Sequence, residues 1–123
     1  MNSIRTALCS FGMSGKVFHA PLIQQHPGFA FQSVWQRTKS DAKEYYPDIE
    51  IVRTYEEMLQ DPSIELIIVN TPEPTHYEFT KKALLAGKHV VVEKAFTPTV
   101  KEAEELIALA NEKSRILSVY HNR

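Results

Sequence analysis

Apolar residues fall in six short runs along the chain, at residues 4–9, 29–35, 49–52, 66–70, 89–93 and 116–120. Several of these, such as Leu66-Ile67-Ile68-Val69 and Val90-Val91-Val92, are continuous rather than alternating. A strand with no polar face is buried on both sides, which is the mark of a parallel sheet covered by helices. Between the runs lie segments of helical character. One is expected from about residue 15 to 25, bent near Ala20 because Pro21 falls inside it. A second, residues 40–46, would take Ser40 as its N-cap and end at Pro47. Three more are announced by Thr-x-x-Glu: Thr54 with Glu57, Thr75 with Glu78, Thr99 with Glu102. They open segments expected at 55–60, 76–86 and 100–113, the second stopped by Gly87. In the last, Ala103, Leu106, Ile107 and Ala110 share one helical face. Six strands therefore alternate with five helices. Right-handed crossovers then favour an α/β fold, a doubly wound parallel sheet of about six strands in one domain, residues 1–123.

Composition narrows the function classes. Apolar residues are 43% and charged residues 24% of a 123-residue chain, an ordinary globular balance with enough length for one core. The formal net charge of −1 argues against a nucleic-acid partner. Cys9 is the only cysteine, so neither an internal disulfide nor a cysteine-based metal cage is expected, and a buried strand thiol is its plain reading. No apolar run approaches the ~20 residues of a membrane span. The first residues enter a strand at once, so no leader peptide and a cytoplasmic setting are expected.

In a doubly wound sheet, ligands bind where the strands end at their carboxyl side. After the first strand stands Ser10-Phe11-Gly12-Met13-Ser14-Gly15. This is close to G-x-G-x-x-G, with Ser10 in the first glycine position, and it precedes a helix N-terminus. Unpaired backbone N–H groups and the helix dipole make such a turn a seat for a pyrophosphate. After the second strand, about 20 residues on, a carboxylate would hold the ribose hydroxyls of NAD. Gln36-Arg37-Thr38-Lys39 has none. Arg37 and Lys39 instead suit a 2′-phosphate, which favours NADP over NAD, against the alternative of a basic solvated loop. After the fourth strand, Asn70-Thr71-Pro72-Glu73-Pro74-Thr75-His76 is held stiff by two prolines. Thr71, Pro72 and His76 are candidates to flank ribose and nicotinamide; a plain turn and helix cap is the competing reading. Glu93-Lys94 ends the fifth strand, where a lysine can handle a substrate proton and a glutamate can support it or meet the nicotinamide. An exposed ion pair is the alternative there.

Taken in order, these residues resemble the N-terminal domain of the glucose-fructose oxidoreductase / inositol dehydrogenase / rhizopine-catabolism (Gfo/Idh/MocA) oxidoreductases. The likeness covers the whole chain. It rests on residues 12–21, on Thr71-Pro72-Glu73-Pro74-Thr75-His76, on Ala86-Gly87-Lys88-His89-Val90-Val91-Val92-Glu93-Lys94, and on Tyr120-His121-Asn122-Arg123. It implies a Rossmann domain for NAD or NADP, usually followed by an α/β domain that binds substrate and mediates homo-oligomerisation. It also implies that Lys94 is the catalytic lysine of the family's Glu-Lys-Pro motif, although Ala95 stands where the proline usually does. The family's substrate-facing histidine lies in the part beyond Arg123. The expectation is therefore a domain that binds cofactor without turnover by itself, taken from a dehydrogenase of a sugar, polyol or related hydroxyl or carbonyl compound. The rival class is a non-catalytic regulator that senses NAD(P). A receiver-like signalling domain lacks its acidic cluster, because Ser10 and Phe11 stand at that strand end.

Overall fold

The computed structural model describes residues 3–12, 19–93 and 99–120. Six strands, β1 (Ile4–Leu8), β2 (Phe29–Trp35), β3 (Glu50–Val52), β4 (Leu66–Val69), β5 (His89–Glu93) and β6 (Leu117–Tyr120), form one sheet. Its order is β3-β2-β1-β4-β5-β6, with every neighbouring pair parallel. Helices α1 (Ala20–Gln25), α2 (Ala42–Tyr45), α3 (Tyr55–Gln60), α4 (His76–Leu85) and α5 (Val100–Lys113) connect the strands, and a 3₁₀ turn at Glu73–Thr75 leads into α4. The chain runs outward from β1 to β3, returns to the centre, and runs outward again from β4 to β6. This is the Rossmann order, and its switch point lies between β1 and β4.

The sheet separates two apolar layers. Ala7, Ile67, Val69, Val90 and Val92 face Tyr55, Met58, Leu84 and Leu106 of α3, α4 and α5. Leu8, Val34 and Ile68 face Ala20, Ile23 and Ala42 of α1 and α2. Burial on both faces holds in full for β4 and less for β6, where Ser118 is exposed. The pairing of β1 with β2 slips between Thr6 and Ala7, which partner Phe31 and Ser33. Gln32 is thus an extra residue in β2, a bulge.

Several local expectations change. Pro21 is the second residue of the described α1, and His19 ahead of it already has helical dihedrals; residues 13–18, which the expected helix includes, lie outside the described set. Asp41, not Ser40, is the N-cap of α2. Thr54 and Thr99 cap α3 and α5, their hydroxyls accepting the Glu57 and Glu102 N–H groups. Thr75 does not cap: the 3₁₀ turn already places it in helical dihedrals, its hydroxyl bonds Pro72 O, and Glu78 pairs with Lys82 at 3.1 Å instead. In α5, Ile107 is half exposed, while Leu109 packs on the core.

Candidate functional site

A cleft of about 690 Å³ opens at the carboxyl ends of β1, β2 and β4. Its lining takes Ser10, Phe11 and Gly12 from the first loop, Arg37, Thr38 and Lys39 from the second, and Thr71 and Pro72 from the third. Trp35 and Phe79 add an aromatic wall. Three loops expected to serve one ligand therefore meet in one place, at the switch point where the fold leaves room for a ligand.

The glycine loop is clamped from β4. The Asn70 side chain accepts the Ser10 N–H at 2.9 Å and donates to Ser10 O at 2.7 Å. This amide completes both backbone groups of a residue that has left the ladder. Ser10 has a further use: its hydroxyl accepts the Gly12 N–H at 3.2 Å, closing the turn that a glycine would leave open. Among the described residues, an ideal Cβ on Gly12 would meet Ser10 Oγ at 3.5 Å, an ordinary contact distance. Phe11 is buried among Tyr45 and Tyr46. Below the loop, burial pushes the Cys9 thiol far above its ordinary range, partly offset by the Tyr55 hydroxyl, so Cys9 is a neutral core thiol. The Tyr55 ring stacks on Trp35 and its hydroxyl donates to Phe79 O at 2.7 Å. That network fixes the aromatic wall.

The second loop carries the positive charge. Arg37 and Lys39 are exposed and line the cleft, and neither side chain makes a hydrogen bond among the described residues. Behind them, Gln36 is buried, with Nε2 donating to Asp41 Oδ1 and Oε1 accepting the Ala42 N–H. Arg53, just beyond β3, donates to Gln36 O, Lys39 O and Ser40 Oγ.

The third loop is held by His76. Its ring is buried rather than on the surface, lies outside the cleft lining, and donates through Nε2 to Thr71 O at 2.7 Å. Glu93 ends β5 with its carboxylate 2.8 Å from His19 Nε2, both side chains largely buried. Lys94, Met13, Ser14 and Gly15 lie outside the described residues. Among the described residues, no group of three or more His, Cys, Asp or Glu is placed to hold a metal ion, and no helix is long and apolar enough to cross a membrane.

Asn70, Arg53, Trp35 and Phe79 were not among the sequence-derived candidates. Asn70 carried a signal, a polar residue directly after a four-residue apolar strand. Arg53 did not, since its partners become neighbours only once β3 lies beside β2.

The residues of this cleft suit a dinucleotide. A backbone turn sits in the middle, two uncommitted cations at one end and an aromatic wall beside them. A family model described as an oxidoreductase family, NAD-binding Rossmann fold, matches residues 4–121. The chain is 42% identical to the scyllo-inositol 2-dehydrogenase (NADP(+)) IolW of Bacillus subtilis, over all of this chain and 34% of that protein. A crystal structure from Bacteroides fragilis superimposes with a TM-score of 0.97 at 54% identity, covering the whole chain and 38% of that protein. KijD10, a 3-ketoreductase from Actinomadura kijaniata solved in complex with NADP and TDP-benzene, matches at 0.90 and 28% identity over 96% of this chain and 37% of its own. The chain thus spans about a third of the length of these relatives.

Proposed function

The chain belongs to the Gfo/Idh/MocA oxidoreductase family, and from that premise we propose that its cleft holds NADP in preference to NAD. The observation that carries this reading is the charge at the end of β2. Arg37 and Lys39 line the same cleft as Ser10 and Gly12, residues 36–39 carry no carboxylate for the ribose hydroxyls, Asp41, which also lines the cleft, accepts from Gln36 Nε2, and both cations are free to meet a 2′-phosphate. The glycine loop, Ser10 to Gly15 in the sequence, is the seat we assign to the pyrophosphate, its described part held in shape by Asn70. Thr71 and Pro72 border the ribose and nicotinamide half, and His76 serves them from behind by fixing the Thr71 carbonyl. When bound, the nicotinamide supplies or accepts a hydride.

The whole protein is then a dehydrogenase or reductase of a sugar, polyol or similar hydroxyl or carbonyl compound. The name of the Bacillus relative, an inositol dehydrogenase, and that of the Actinomadura protein, a 3-ketoreductase, both support that class. Lys94, the next residue in the sequence after Glu93, lies outside the described residues and is the group assigned here to hold or move the substrate hydroxyl proton. The domain alone binds cofactor and does not turn substrate over. Equilibrium titration with NADPH and NADH, on wild-type and Arg37→Ala protein, tests the cofactor. The expected result is tighter NADPH binding that Arg37→Ala abolishes; tighter NADH binding by the wild type would overturn the reading.

A further inference from the structure

We propose that Arg53 is a positioning residue for cofactor choice: it touches no ligand, and it sets the shape of the loop that does. The inference rests on the NADP reading above. Arg53 Nη1 donates to Gln36 O at 3.0 Å and to Lys39 O at 2.6 Å, and Nη2 donates to Ser40 Oγ at 2.7 Å. The two carbonyls flank Arg37 and Thr38, so one guanidinium pins both feet of the arch that bears Arg37. Arg53 is itself fixed from three directions. Its N–H donates to Glu57 Oε1 at 3.3 Å, its carbonyl accepts the Trp35 indole N–H at 3.2 Å, and the adjacent Val52 carbonyl accepts the Gln36 N–H at 3.1 Å. The brace is therefore tied to Glu57 in the first turn of α3, to the aromatic wall and to β3.

Arg37 and Lys39 repel each other and are held by no contact of their own among the described residues. Left unbraced, the loop would have to be ordered anew by each incoming 2′-phosphate. Ordering a flexible segment at the moment of binding weakens binding. A guanidinium can pay that cost in advance, because its fixed fork reaches three acceptors at once; an ammonium on a longer, freer stem cannot hold them in one plane. The penalty falls on NADPH alone, since NADH has no group for the loop to grip.

The test measures dissociation constants of NADPH and NADH for the intact protein with Arg53→Ala, Arg53→Lys and Ser40→Ala. The expected result is a fall of roughly five- to tenfold in the NADPH/NADH affinity ratio for Arg53→Ala, in line with the ordering of one or two side chains. Arg53→Lys keeps the charge and loses most of the ratio, and Ser40→Ala, which removes one of three acceptors, loses a smaller part. NADH affinity stays near the wild-type value throughout. An unchanged ratio in Arg53→Ala overturns the inference, as does an equal weakening of both cofactors, which marks a merely structural role. Full retention by Arg53→Lys also overturns it, since charge rather than bracing would then suffice. If the ratio depends on Arg37 and not on Arg53, the NADP reading stands and only this inference falls; a wild type that prefers NADH removes both.

Discussion

His19 Nε2 lies 2.8 Å from Glu93 Oε2, tying the residue before α1 to the end of β5 across 74 positions of sequence. Both side chains are largely shielded, at 5% and 13% exposure. The partner of a shielded carboxylate cannot be removed freely, because water does not replace it. His19→Ala is expected to cost about 1–3 kcal/mol of unfolding free energy in denaturant titration. Glu93→Gln keeps an acceptor oxygen at the same place and should cost less.

Asn70→Asp should harm the protein more than its size suggests. The amide both accepts from and donates to Ser10, and the carboxylate can do only the first. Two acceptors would then face each other at the Ser10 carbonyl. A loss of about 1–3 kcal/mol is expected, with a matching fall in cofactor affinity measured by titration.

Gly12→Ala separates fold from binding. Among the described residues the added Cβ meets ordinary contact distance, and the thermal midpoint should hold steady. Gly12 lines the cleft, so overpacking of the methyl group against a bound pyrophosphate is expected to cost about 1–3 kcal/mol, or roughly five- to 150-fold in affinity.

His89 gives a pH dependence with a definite sign. Its Nδ1 accepts the Ile116 N–H at 3.0 Å, which requires that nitrogen to be unprotonated. Burial, and then the nearby Arg115, lower its pKa below the ordinary 6.5, against a weaker pull from Glu65. The unfolded chain therefore binds the proton more readily than the native one. Stability is full above pH 6.5 and is lost as pH falls through the lowered native value. Thermal midpoints from pH 7.5 to 5 should show this loss, and His89→Asn, which keeps an acceptor that does not titrate, should remove that part of it.

Ser114 closes α5 with φ 56° and ψ 45°, a left-handed conformation that suits glycine. Ser114→Gly is expected to raise stability by about 0.5–1 kcal/mol in the same denaturant titration.

Much of the fold was legible in the residues. The runs Phe29–Trp35 and His89–Glu93 matched their strands end to end, because each is bounded by turn residues and is dense in β-formers. Thr54 and Thr99 marked their helices because each is itself extended and faces the unpaired N–H groups of the first turn. Thr75 misled for the opposite reason: the backbone ahead of it already turns, so its hydroxyl had other partners. Ile107 misled because a regular stripe on α5 is wider than the surface that α4 and the sheet cover. The loops of the site could be read because the strand ends select them. The supports behind those loops could not. Arg53 and His19 act on residues far along the chain, and such partners exist only after the strand order is set.

The extra residue in β2 decides more than a local kink. Phe29 and Phe31 belong to the layer of α1 and α2, and strict alternation would send Trp35 there too. The bulge at Gln32 inverts the phase, so that Val34 takes that side and Trp35 joins Tyr55 and Phe79 across the sheet. The strand counts its residues by parity, and its two halves count from different origins. Deletion of Gln32 alone would remove the bulge and leave the indole where it is, since Ser33, Val34 and Trp35 would then follow Phe31 in regular alternation, whereas drawing Gln32 into a regular ladder would carry the indole away from the cleft. Length variation within this strand is thus filtered by arithmetic before any side-chain chemistry is consulted.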